Sequence, residues 1–240
     1  MENNSNAINS KSLIFILLSR LLLFVFFQLL IALILSSWKE SEKYWLLTAT
    51  FANFVSIILL NILLKKEGIK YFYLFQFSKN KWGIDLLITL GLLLISVPII
   101  LIPSLSFSSF LWGNTTYYHQ VLFQPIPNII IYFLLFAFPV TMCFADIPTY
   151  FGYIMPRLKN KLQRNWIAIL LPVIFLSIQN CTLPLVFDAK FIFFRALMYL
   201  PYTLMFGIAA YKRPALLPYL AILYGAIYIL PVITQLTTEY

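Results

Sequence analysis

A chain of 240 residues that is 62% hydrophobic, 18% aromatic and only 10% charged has too little polar surface to cover a water-soluble globule. Its net charge of +9 would suit nucleic acid, but all of the Lys and Arg residues except Arg20 and Arg195 lie outside the apolar runs, so a membrane protein is expected and a nucleic-acid partner is not.

Runs long enough to cross about 30 Å of hydrocarbon, roughly 20 residues each as helix, recur seven times. They fall near residues 12–37, 44–64, 83–105, 128–153, 166–187, 191–211 and 215–236. The expected fold is all-α: a polytopic membrane helix bundle of about seven transmembrane helices, forming one membrane-embedded domain over residues 1–240. The first run follows an Asn/Ser-rich start and lacks a small-residue cleavage site, so it reads as a retained helix.

With the N-terminus cytoplasmic, the inner segments carry Lys11, Lys65, Lys66, Lys70, Lys79, Lys81, Arg157, Lys159, Lys161, Arg164, Lys212 and Arg213. The outer segments carry only Lys39, Lys43 and Lys190. Twelve against three satisfies the positive-inside rule. Richness in Ile, Leu, Phe, Asn and Lys is the composition of a low-GC bacterium, so the expected location is the bacterial cytoplasmic membrane, with the lipid bilayer as partner.

Between the second and third runs, residues 65–82 mix cations with Tyr71, Phe72, Tyr73, Phe75 and Phe77. That pattern suits a segment at headgroup level and equally a plain basic loop with interfacial aromatics. Residues 106–127 are expected to form a long, uncharged, aromatic outer loop, and they hold the sole histidine, His119. Cys143 and Cys181 both fall inside apolar runs, where they read as small buried residues rather than a disulfide or zinc-finger pair.

Asp146 stands deep inside the fourth run, where an ionised carboxylate costs roughly 2.5–3.5 kcal/mol on insertion scales and asks for a partner or a purpose. Counting about 1.5 Å per residue, Asp146 lies about 16 Å from Arg157, Asn180 about 24 Å from Arg164, and Tyr224 and Tyr228 about 16 and 22 Å from Arg213. Three helices thus offer side chains to one middle layer. Arg20 has a similar depth in the first run; it either pairs with Asp146 or snorkels to the headgroups and leaves Asp146 protonated. Near the outer end, Asp188, Lys190 and Arg195 are expected to neutralise one another.

Over residues 128–236 the chain resembles the CPBP family, also called ABI, of intramembrane metalloproteases that includes CAAX-processing and bacteriocin-associated proteins. The family's first motif has two adjacent glutamates, then an arginine four positions after the second, a glycine directly after it and often a Pro-Arg-Leu end. Pro148, Gly152, Tyr153, Pro156, Arg157 and Leu158 look like that frame, which puts Asp146 and Ile147 at the glutamates and Phe151 at the arginine. The second motif, a phenylalanine followed four residues later by histidine, looks like Leu176 and Asn180. The third would fall on Tyr224 and Tyr228 in the last helix.

The resemblance therefore implies a family active site at Asp146, Ile147, Phe151, Asn180, Tyr224 and Tyr228 from which the imidazoles are missing. Catalytic zinc usually keeps three protein ligands and a water, so no residue is assigned as catalytic and no cofactor is expected. Zinc is implied only for the alternative, an active endopeptidase of this family. A Cys143/Asp146/Cys181 donor set is a further conceivable metal site. The implied function is that of a non-catalytic relative that binds a peptide or a membrane partner, in bacteriocin immunity, peptide maturation or envelope regulation. A small transporter is the other alternative, because an intramembrane acid and arginine suit an ion path.

Overall fold

The computed structural model describes residues 10–78, 80–162 and 164–238, with side chains from residue 13 onward. Lys79 and the side chain of Lys11, both counted above as inner cations, lie outside the described residues. Among the described residues, seven helices are long and apolar enough to cross a membrane. They are α1 (Leu13–Leu35), α2 (Trp45–Lys66), α3 (Trp82–Trp112), α4 (Asn128–Lys161), α5 (Asn165–Thr182), α6 (Ala189–Lys212) and α7 (Pro214–Leu236). No strand occurs among the described residues. The chain is an all-α polytopic bundle, the form in which a spanning backbone satisfies its own polar groups.

α4 lies at the centre, with α2 and α7 against its two sides; α5 packs on α6, and α1 on α2. The α4–α7 contact depends on Gly225, since a Cβ there would stand 2.7 Å from the carbonyl oxygen of Pro139 and 2.8 Å from the Cβ of Cys143. Small residues at a crossing let backbones approach closely, which is how helices associate in lipid.

α3 is inverted relative to a soluble amphipathic helix. Its buried residues are Asp85, Thr89, Ser96, Ser104 and Ser108, while Leu87, Leu94, Ile102 and Phe110 point outward. Polar and small side chains face the bundle and the apolar ones face lipid, as expected where lipid is the solvent.

Three boundaries differ from those read in the sequence. α3 runs on to Trp112 and stops at Gly113, whose φ of 66° is the left-handed conformation that ends a helix. Part of the expected outer loop is therefore helix, and a second short helix spans Tyr117–Leu122. α4 continues to Lys161, because Pro156 falls in the first turn of a helix restarted at Met155 and Pro is tolerated there. α5 ends at Thr182, ahead of the expected residue 187. Beyond it the Leu185 backbone is held in a non-helical form: Gln28 accepts from its N–H at 2.7 Å, and Gln28 and Trp38 donate to its carbonyl at 3.1 and 2.9 Å.

Within α4 the stretch Pro148–Ile154 is π-helical. Pro148 has no N–H to offer the carbonyl four residues earlier, that of Phe144. The Tyr71 hydroxyl donates to that carbonyl instead. Tyr71 belongs to a 3₁₀ turn over Tyr71–Phe75, so the segment before α3 is stitched to α4, while Phe72, Tyr73 and Phe77 stay exposed. Burial holds the Tyr71 phenol well above its ordinary range, which keeps it a donor.

Candidate functional site

Five spans place polar side chains around Asp146. Its Oδ1 lies 2.5 Å from Arg20 Nη2 of α1 and accepts from Gln179 Nε2 of α5 at 3.2 Å. Its Oδ2 accepts from the Tyr224 hydroxyl of α7 at 2.8 Å, and Tyr224 meets Tyr228 oxygen to oxygen at 3.2 Å. Arg20 also donates through Nε to Gln179 Oε1 at 3.0 Å and through Nη2 to Asn53 Oδ1 of α2 at 2.7 Å. The Tyr150 hydroxyl, carried by the π-helical stretch, donates to the same Gln179 oxygen at 3.0 Å. Asn53 in turn donates to Thr141 Oγ1 at 3.2 Å.

Arg20 and Asp146 are both fully buried. The guanidinium does not reach a headgroup; it sits 5.2 Å from the ring centroid of Phe24 and is closed in by the bundle. A charge pair in hydrocarbon must be paired and hydrogen-bonded, and here both carboxylate oxygens and two of the three guanidinium nitrogens are engaged.

The other positions singled out in the sequence serve differently. Ile147 and Phe151 are buried apolar residues of the core. Phe151, which stands where the resemblance places an arginine, packs on α6 at Gly207, where an added Cβ would lie 3.3 Å from its ring. Asn180 does not join the hub: its Nδ2 donates to Leu176 and Ser177 carbonyls of its own helix at 3.0 and 3.3 Å. Gln179, one residue earlier, takes the central place, and sequence reasoning passed over it together with Asn53 and Tyr150.

Asp188, Lys190 and Arg195 do not neutralise one another. Asp188 caps α6 by accepting from the Lys190 N–H at 2.9 Å, and Lys190 Nζ donates to the Leu111 carbonyl at 3.2 Å. Arg195 is buried and donates to the carbonyls of Asn180, at 3.1 Å, and Leu183, and to the Tyr199 hydroxyl. Fixed carbonyl dipoles can hold a buried guanidinium with no carboxylate.

Tyr153 and Arg157 form a clamp with Glu67 at the Lys/Arg-rich end. Tyr153 donates to Glu67 Oε1 at 2.7 Å, Arg157 pairs with Glu67, and the Arg157 guanidinium lies 3.5 Å from the Tyr153 ring centroid. Nearby Arg213 pairs with the buried Asp85 of α3 at 2.5 Å. Next to the clamp a cavity of about 400 Å³ opens between α4, α6, α7 and the segment before α3; Phe151, Gly152, Pro156, Tyr73, Tyr211 and Leu217 line it.

The residues do not fit a zinc ion. Both oxygens of Asp146 are engaged by Arg20, Gln179 and Tyr224, Asn180 faces its own backbone, and Cys181 donates to the Ile192 carbonyl at 3.4 Å. Among the described residues no three His, Cys, Asp or Glu side chains are grouped to hold a metal. No family model, curated protein or solved structure matches this chain.

Proposed function

We propose that the protein is a non-catalytic relative of the CPBP intramembrane proteases, in the bacterial cytoplasmic membrane, that binds a peptide or a membrane partner. The observation that carries this reading is that both oxygens of Asp146 are engaged within the bundle. A carboxylate that orients a water or a metal must turn a lone pair toward it, and Asp146 turns its two oxygens toward an arginine, an amide and a phenol. Asp146 ties helices together in place of doing chemistry.

Binding falls to the cavity at the Lys/Arg-rich end. Its walls are aromatic, aliphatic and Pro-rich, and Lys159 stands on its rim. An apolar peptide with a carboxylate or acidic end suits that combination. Such a receptor fits self-immunity, assistance to peptide maturation or regulation at the envelope.

The test places a photo-reactive amino acid at Tyr211 in cells. The expected result is capture of one peptide or protein of defined mass, lost when Gly152→Leu fills the cavity. Purified protein with stoichiometric zinc, and proteolysis abolished by Asp146→Ala, would overturn the proposal.

A further inference from the structure

Arg20 Nη1 and Thr149 Oγ1 are buried and have no hydrogen-bond partner. Both residues line a cavity of about 160 Å³ between α1 and α2, separate from the cavity at Gly152. Unsatisfied buried donors are few in folded proteins and each asks for an explanation. Here both of these donor residues line one unfilled space.

The cavity is asymmetric. Arg20 and Thr149 supply a guanidinium N–H and a hydroxyl, the Ser19 and Ser56 hydroxyls already donate to the Ile16 and Ala52 carbonyls, and Ile16, Leu59, Leu60 and Leu63 supply the apolar walls. Phe15, Ile62 and Lys66 line it and are themselves exposed. From Ser56 to Lys66 along α2 is about 15 Å, so the slot runs from mid-bundle to the Lys/Arg-rich end. A lysine side chain in a helix leans back toward the N-terminal turn, which carries the Lys66 stem toward the slot.

We infer that this slot between α1 and α2 binds the acidic headgroup of a membrane amphiphile, a lipid phosphate or a long-chain carboxylate, with Arg20 and Thr149 donating to it and Lys66 adding charge. At roughly 30 Å³ per water the space would hold about five waters, too little for a whole lipid. Only the head enters, and the chain lies outside against Phe15 and Ile62. Anionic oxygens accept more strongly than neutral ones, and the slot offers donors of both charged and neutral type. The inference does not rest on the function proposed above, and its readout involves neither peptide nor hydrolysis.

Delipidated protein in detergent, followed by native mass spectrometry, tests it against palmitate, phosphatidylglycerol and phosphatidylcholine. The expected result is preference for palmitate or phosphatidylglycerol over phosphatidylcholine of roughly tenfold, the worth of one charged hydrogen bond. Thr149→Val keeps the shape and removes the hydroxyl, so it reduces that preference several-fold. Ser56→Leu fills the slot and abolishes it, with thermal unfolding confirming that each variant folds. Which anion binds identifies the source of the headgroup. Equal retention of all three probes by the wild type, or an unchanged preference in a folded variant of either kind, overturns the inference.

Discussion

Gln179 uses both ends of its amide: the oxygen accepts from Arg20 and Tyr150, and the nitrogen donates to Asp146. Removing it leaves a buried guanidinium N–H and a buried phenol without an acceptor, each worth about 1–3 kcal/mol. The Asn180 side chain donates to the backbone of its own helix. Gln179→Ala should therefore lower stability by about 3 kcal/mol and Asn180→Ala by about 1 kcal/mol or less. Thermal unfolding in detergent checks the order of the two. The contrast shows what a residue-by-residue reading can reach. Asp146 and Arg20 stood out because charges in apolar runs are rare. A lone glutamine or asparagine does not, and motif spacing pointed to Asn180. One residue along a helix is about 100° of rotation, enough to turn one amide toward the hub and its neighbour away.

At the scale of elements, the bundle is specified by where backbones come close and where they lack partners. Gly225 gives α7 its contact with α4, and the obstructing atom is a backbone oxygen that cannot swing aside. Gly225→Ala is expected to cost about 1–3 kcal/mol, the range for overpacking a tight contact, and to weaken the Tyr224–Asp146 bond by pushing the helices apart. Circular dichroism melts follow the stability, and a Tyr224→Phe change that costs less in the Gly225→Ala variant than in the wild type follows the weakened bond. The seven spans were legible because hydropathy over about 20 residues is a strong signal. Their ends were less so. The stop of α3 at Gly113 and the release of α5 at Leu185 depend on a left-handed cap and on a side chain from α1, which local composition does not encode. The π-helical stretch follows from Pro148, yet its repair by Tyr71 comes from 73 residues away.

For the whole molecule, the polar hub joins α1, α2, α4, α5 and α7, so one neutral charge pair with its amides and phenols sets how five spans register in lipid. Apolar surface cannot do this, because lipid tails compete equally for it. The clamp of Glu67, Tyr153 and Arg157 adds a second tie at the Lys/Arg-rich end. The middle layer of candidate residues was visible from counting rise along helices, and its purpose was not, since the count gives depth without rotation.

The central claim is that Asp146 serves the fold, and a double-mutant cycle of Arg20→Met and Asp146→Leu, read as unfolding free energy in detergent, tests it most directly. Each single variant strands a buried charge and should lose about 3–5 kcal/mol, while the double variant should recover most of that loss. Single losses under about 0.5 kcal/mol that simply add would contradict the account and leave Asp146 free for chemistry.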